Sequence, residues 1–107
     1  MTSFDDRRQS FEATFARDEE MAFRITARRN RLLGGWAAQQ MQLTPEETDS
    51  YCKSVVQADF EEAGDEDVIR KLLGDMNAAG VDVDEGVVRR ALDEQMIEAR
   101  RQLMGAH

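Results

Sequence analysis

The stretch Leu43-Thr44-Pro45-Glu46-Glu47 carries the clearest helix start in this sequence. A threonine hydroxyl can accept a backbone N–H from the first turn, and proline suits the first helical position. Glu47 follows Thr44 by three residues, which is the spacing of a capping box. We therefore predict that one helix begins here and that another ends just before it.

The segment before this start, from Phe4 to Gln42, has no proline and no turn cluster except Gly34-Gly35. It can be helical in one or two pieces, with the glycine pair as its weak point, because each interior glycine costs about 1 kcal/mol relative to alanine. Apolar residues recur at spacings of three, four and seven: Ile25, Leu32, Leu33, Trp36, Ala37 and Met41. This stripe predicts that the second half of the segment reaches the core.

Two further helices are predicted after the capping box. The first presents Tyr51, Cys52, Val55, Val56 and Phe60 at helical spacing and should end near Glu61 to Gly64, where glycine can adopt a left-handed conformation. The next has Asp65, Glu66 and Asp67 at its N-terminus, where the helix dipole favours negative charge. Its apolar stripe is Val68, Ile69, Leu72, Leu73 and Met76.

A last helix is predicted after the turn at Asn77 to Gly80. Asp84 can cap it, and Val83 can pack back on Val88 as a hydrophobic staple. One face then carries Val88, Ala91, Leu92, Gln95, Met96, Ala99 and Leu103, and Arg100 and Arg101 close the helix. We expect an all-α, four-helix bundle-like single domain, with the bundle in residues 20–107 and a mobile N-terminal segment in residues 1–19.

The N-terminal segment differs from the rest because its large apolar residues are few. Phe4, Phe11 and Phe15 stand among charged residues, and this is too little apolar surface to offset the cost of ordering the chain. Their spacings of seven and four place them on one side of a helix, which is typical of a segment that folds into a groove of a partner. Equally, the stripe could extend the first helix along the bundle.

Three arginines, Arg24, Arg28 and Arg31, share one helical face. Guanidinium groups can hold phosphate or carboxylate through paired hydrogen bonds, so these residues are candidates for holding an anion. A solvated face that pairs with acidic residues elsewhere in the chain is the favoured alternative, because exposed charges usually have that role. Gly34-Gly35 matches no phosphate-binding loop.

Composition argues against several classes of protein. The net charge of −8 opposes nucleic-acid binding, and no apolar run approaches the length that spans a bilayer, so we expect a cytoplasmic protein without direct membrane insertion. The only histidine is His107, and Cys52 has no companion at metal-ligand spacing. We therefore predict no catalytic residues, no metal site, no required cofactor and no enzymatic activity.

Several strings in the sequence resemble the zeta-type inhibitor subunit family of α-proteobacterial F-type ATP synthases. In the N-terminal half they are Ser3-Phe4-Asp5-Asp6-Arg7, Phe11-Glu12, Phe15-Ala16, Asp18-Glu19-Glu20, Ala27-Arg28-Arg29-Asn30, Leu32-Leu33-Gly34 and Trp36-Ala37-Ala38. In the C-terminal half they are Asp59-Phe60-Glu61-Glu62, Gly64-Asp65-Glu66-Asp67-Val68, Arg70-Lys71 and Gly80-Val81-Asp82. The similarity runs nearly from end to end.

The resemblance implies a four-helix fold and an inhibitor that inserts its N-terminal segment between the catalytic α and β subunits near γ. The residues that would contact those subunits are Ser3, Phe4, Asp5, Asp6, Arg7, Arg8, Phe11 and Phe15. It also implies a protein peripheral to the membrane-bound synthase and an adenine nucleotide, ATP or ADP, as a ligand. Arg24, Arg28 and Arg31 would then be the candidate nucleotide-binding residues, in contact with the phosphates. The alternative function is therefore a nucleotide-binding sensor whose inhibition of the ATPase is weak or vestigial.

Overall fold

The computed structural model describes the backbone of residues 3–59 and 64–105 and the side chains of residues 19–59 and 64–105. It contains four helices: α1 (Ser3–Gln40), α2 (Pro45–Ala58), α3 (Glu66–Ala78) and α4 (Glu85–Met104). No strand occurs in the described ranges. The all-α, four-helix prediction is confirmed.

The glycine pair does not interrupt α1, which runs continuously through Gly34 and Gly35. A Cβ atom on Gly34 would lie 2.9 Å from the Cα atom of Cys52 and 3.3 Å from Cγ2 of Val55. Gly34 is therefore the point of closest approach between α1 and α2. The interpretation of the pair as a weak point is wrong for Gly34, because its missing side chain is what allows the two helices to pack.

The turn between α1 and α2 is fixed by hydrogen bonds at both helix ends. Leu43 N donates to Ala38 O (3.0 Å) and Gln42 N to Gln39 O (3.1 Å), the pair of bonds that defines a Schellman motif. Gln42 has a φ of 59°, so a non-glycine residue takes the left-handed position. The helix thus ends at Gln40, two residues before the predicted end.

The predicted capping box is present in full. Glu47 N donates to Thr44 Oγ1 (3.1 Å), and Thr44 N donates to Glu47 Oε1 (2.8 Å). These bonds lower the pKa of Glu47 below its usual value. The cap of α4 is also confirmed, since Val87 N donates to Asp84 Oδ1 at 2.9 Å.

The connection from α2 to α3 differs from the prediction. α2 ends at Ala58, earlier than the predicted Glu61 to Gly64, and Phe60 lies outside the described residues. Gly64 does adopt a positive φ of 93°, but it precedes α3 and does not terminate α2. Asp65 occupies the N-cap position of α3 without a side-chain capping bond, because its carboxylate is directed to Arg29.

The core lies where α1 packs against α2 and α4, and α3 also contributes residues to it. Its buried residues come from all four predicted stripes: Leu33, Ala37, Val55, Val68, Ile69, Leu72, Met76, Val88, Ala91 and Leu92. Trp36, Met41, Tyr51, Leu73, Val81 and Val83 pack against it and are partly exposed. The amphipathic spacing therefore identified the buried face of every helix.

A polar contact links α2 to α3 at the edge of this core. The hydroxyl of Tyr51 donates to Asp75 Oδ2 (2.7 Å), and Lys71 Nζ donates to the same oxygen (3.0 Å). Lys71 also lies 5.1 Å from the centre of the Tyr51 ring. Burial, together with the hydrogen bond to Asp75, raises the pKa of Tyr51 above its ordinary value.

The helix α1 is much longer than the helices it packs against. Its 38 residues correspond to about 57 Å, whereas the 20 residues of α4 correspond to about 30 Å. Among the described side chains Ile25 is the first buried residue, and Glu19, Glu20, Ala22, Phe23 and Arg24 are exposed. We call residues 3–24 the N-terminal extension of α1. The predicted boundary between residues 19 and 20 falls inside this continuous helix, and the mobility of residues 1–19 stays a prediction.

We predict that Gly34→Ala destabilises the protein whereas Gly35→Ala stabilises it. The new Cβ of the first variant would push against backbone of α2, and overpacking of this kind costs about 1–3 kcal/mol. At Gly35 the nearest atom is Cys52 Sγ at 4.0 Å, so the variant should gain about 0.5–1 kcal/mol from helix propensity. Urea unfolding followed by circular dichroism measures both, and equal shifts of the two midpoints would contradict the close approach.

Candidate functional site

The three arginines of the predicted anion-binding face are exposed on one side of α1, as their spacing predicted. Each one is engaged by a different element. Arg24 Nη2 donates to Glu20 Oε1 on the same helix (2.8 Å), Arg28 Nη1 to Gln102 Oε1 on α4 (2.7 Å) and Arg31 Nη2 to Asp49 Oδ1 on α2 (3.1 Å). Pairing with acidic residues elsewhere in the chain, the favoured alternative, is thus present for Arg24 and Arg31.

A surface groove runs along this face. It encloses about 470 Å³ and is lined by Phe23, Arg24, Ala27, Arg28, Arg31, Val56 and Leu103. A second hollow shares Arg31 and Val56 with it and adds Lys53 and Gln57. The volume of the groove lies within the range of about 300–1,000 Å³ that is usual for small-molecule sites. Its lining combines three cationic residues with four apolar ones, a combination that suits an anion with an aromatic or apolar part.

The charges at the rim are only partly neutralised. Hydrogen bonding from Lys53, followed by Arg31, lowers the pKa of Asp49, so this carboxylate is ionised and offsets part of their charge. Arg28, in contrast, is bonded to a neutral amide. A hollow of similar size near Tyr51 is bordered by Glu46 and Glu47, and an anion would be repelled there.

The fourth arginine of this region, Arg29, has an entirely different environment. Its side chain is only 2% exposed, and its Nη2 lies 3.0 Å from Asp65 Oδ1 and 3.9 Å from Asp59 Oδ1. Its Nε and Nη2 also donate to Asn30 Oδ1 at 3.0 and 2.8 Å. This buried network ties α1 to the end of α2 and to the start of α3.

The sequence contained a signal for Arg29 that the prediction did not use. Arg29 stands four residues after Ile25 and four before Leu33, so it lies on the apolar stripe itself. A cation at such a position must be buried with a partner, because an unpaired buried charge is very costly. The acidic residues of the α2–α3 connection are the partners, but their proximity depends on the fold.

The predicted inhibitory residues, Ser3, Phe4, Asp5, Asp6, Arg7, Arg8, Phe11 and Phe15, all fall within α1. Their side chains lie outside the described residues, so their role stays a prediction. The backbone places them on the N-terminal extension, which begins beyond the first buried residue, Ile25.

The described part of the chain has neither a metal-binding cluster nor a membrane-spanning helix. Within the described residues no group of three or more His, Cys, Asp or Glu side chains could hold a metal ion. None of the described helices is both long enough and apolar enough to cross a bilayer. Cys52 is buried, and this burial raises the pKa of its thiol, which disfavours the thiolate that nucleophilic chemistry requires.

The structure defines a small all-α, four-helix protein with one elongated helix and a surface groove lined by arginines. The family ATPase inhibitor subunit zeta matches residues 1–102, and the chain belongs to this family. Its members are inhibitory subunits and the class is regulatory, in agreement with the resemblance of the sequence strings.

The fold has a counterpart among solved structures. A protein determined by solution NMR is 44% identical, covers 78% of this chain and 95% of its own, and superimposes with a TM-score of 0.70. No curated protein matches the sequence. The NMR structure is similar in both sequence and fold, and it supports the four-helix arrangement described above.

We predict that Arg29→Met destabilises the protein by about 2–4 kcal/mol. The variant keeps an apolar side chain of comparable length but leaves Asn30 Oδ1 buried without its donors and removes the partner of Asp65. Arg31→Met is the matched control, since exposed ion pairs contribute about 1 kcal/mol or less. Urea unfolding measures the difference, and similar losses in both variants would contradict the role of Arg29.

Proposed function

We propose that this protein inhibits ATP hydrolysis by an F-type ATP synthase, with residues Ser3 to Phe15 as the inhibitory segment. The segment would insert between the catalytic α and β subunits near γ and obstruct the conformational cycle that hydrolyses ATP. Residues 20–107 would form the anchor. Membership of the ATPase inhibitor subunit zeta family supports the inhibitory role.

The observation that carries the mechanism is the length of α1. The helix continues for 22 residues before Ile25, about 33 Å, while the predicted core residues all lie at or after Ile25. A helix that continues so far beyond its core can reach into a crevice of a larger partner. The bundle itself remains outside such a crevice.

The energetics favour a helical segment with a narrow apolar face. Helical spacing would put Phe4, Phe11 and Phe15 on one side, and burying each of them in a partner would contribute about 1.5–3 kcal/mol. A helix that is already formed loses less conformational entropy on binding than a disordered peptide. The remaining charged residues can then face polar surface or solvent.

We predict that the full-length protein suppresses hydrolysis by the cognate ATP synthase and that deletion of residues 1–15 abolishes suppression. Phe11→Ala should weaken it by roughly 30-fold, the equivalent of about 2 kcal/mol of lost apolar burial. The measurement is the steady-state ATPase rate as a function of inhibitor concentration. Circular dichroism should show that the bundle remains folded in the variant.

The control for Phe11→Ala is Ile97→Ala. Ile97 is 70% exposed on α4, outside the proposed inhibitory segment, and its truncation is a similar loss of apolar surface. It should leave inhibition unchanged. Equal inhibition by the full-length and truncated proteins would refute the proposal.

The groove beside Arg28 supports a second candidate function, an adenine-nucleotide sensor. Its volume suits a small ligand, three guanidinium groups border it, and Phe23 offers an aromatic surface. The pairs Arg24–Glu20 and Arg31–Asp49 are exposed, so a polyphosphate could displace the carboxylates at little cost.

We predict that ATP shifts the backbone amide resonances of residues 24–31 in the full-length protein. Arg28→Gln should reduce the apparent affinity at least fivefold, because one charge-assisted contact to phosphate is lost. Arg90→Gln, at an exposed position of α4, is the matched control and should have no effect. An unchanged amide spectrum at millimolar ATP would exclude this candidate.

A further inference from the structure

The side-chain amide of Asn30 has a fixed orientation and an unfulfilled donor. Asn30 is fully buried, and its Oδ1 accepts hydrogen bonds from both Nε and Nη2 of Arg29. Guanidinium nitrogens only donate, so Oδ1 and not Nδ2 must face them. Nδ2 therefore points away from Arg29, and no hydrogen-bond partner in the described part of the chain reaches it.

Asn30 also lines a small cavity. The cavity has a volume of about 20 Å³, and its other lining residues are Phe23, Thr26, Ala27, Val56 and Asp59. A space of about 10–15 Å³ or more on this measure is sufficient for one water molecule. It is far too small for a nucleotide, so it is a different site from the arginine groove that lies next to it.

A second polar residue of the cavity lining, Asp59, carries a hydrogen-bond acceptor. Asp59 Oδ1 lies 3.9 Å from Arg29 Nη2, which is an ionic contact but too long for a hydrogen bond. The carboxylate thus retains acceptor capacity. Asn30, whose Nδ2 is a donor without a partner among the described residues, and Asp59, whose carboxylate is an acceptor, thus line the same space, together with Thr26.

We propose that this cavity is a binding site for one ordered water molecule. The water accepts a hydrogen bond from Asn30 Nδ2 and donates one to the Asp59 carboxylate. It closes a ring that runs from Arg29 through Asn30 and the water to Asp59. The ring holds the C-terminal end of α2 against α1, and the direct contact between Arg29 and Asp65 extends it to the start of α3.

The test is the magnetisation transfer between water and the side-chain amide protons of Asn30 in the full-length, ¹⁵N-labelled protein. A bound water gives a nuclear Overhauser effect of the sign that indicates a residence time of nanoseconds or longer. The exposed side chain of Gln39, on the same helix, is the internal reference and should show only short-lived hydration. Absence of the long-lived effect at Asn30 in the folded protein would overturn the proposal.

A pair of variants tests the location of the water. Ala27→Val adds two methyl groups at the cavity wall and should eliminate the effect at Asn30, whereas Ala22→Val makes the same change at an exposed position of α1 and should preserve it. Persistence of the effect in Ala27→Val would refute this site. The measurement on the unmodified protein does not depend on whether that variant folds.

Discussion

The close contact of α1 with α2 at Gly34 is the constraint on which the rest of the structure depends. Only a residue without a side chain allows the backbone of Cys52 to come so near, and this approach brings Val55 fully into the core. The close packing of α1 and α2 also affects the environment of Arg29, one to two turns earlier in α1. There Arg29 Nη2 lies 3.9 Å from Asp59 Oδ1 at the end of α2 and 3.0 Å from Asp65 Oδ1 at the start of α3. A wider separation would leave a guanidinium group buried without a carboxylate, which is far more costly than a lost apolar contact.

The arginines of α1 lie in two different electrostatic environments, one exposed to solvent and one buried. Arg28 and Arg31 extend into solvent, where their contacts with Gln102 and Asp49 contribute little to stability. Arg29, their neighbour in sequence, is turned toward the core by the 100° step of the helix and must have its partners in place. Removing one partner of such a network costs more than the intact network contributes, because it leaves a buried charge without a partner. The acidic residues at Asp59 and Asp65 therefore serve the fold in addition to raising the net negative charge.

Most of the fold was predictable because its signals are local. The capping box at Thr44 and Glu47, the cap at Asp84 and the apolar stripes each depend on residues within one or two turns. The errors arose where distant parts of the chain decide the outcome. Gln42 adopts a left-handed conformation, which is unusual for glutamine and was not predicted from the sequence. The importance of Gly34 depends on its contact with Cys52 of α2, which is 18 residues later in the chain. The candidate site was predictable only in part for the same reason: spacing identified the exposed arginine face, but the groove beside it also needs Val56 and Leu103 from other helices.

The continuity of α1 connects its core-forming part with its N-terminal extension. Starting a helix is the unfavourable step, whereas lengthening it adds one hydrogen bond for each residue that becomes ordered. The packed part of α1, from Ile25 to Gln40, overcomes that first cost through tertiary contacts, so lengthening the helix to Ser3 needs no second nucleation step. The arginine groove lies at the point where the extension leaves the bundle, with Phe23, Arg24 and Arg28 among its lining residues. A ligand in that groove would contact the base of the extension. If the ligand changed the affinity of the protein for a partner by some factor, the partner would change the affinity for the ligand by the same factor, because the coupling between two binding sites is reciprocal.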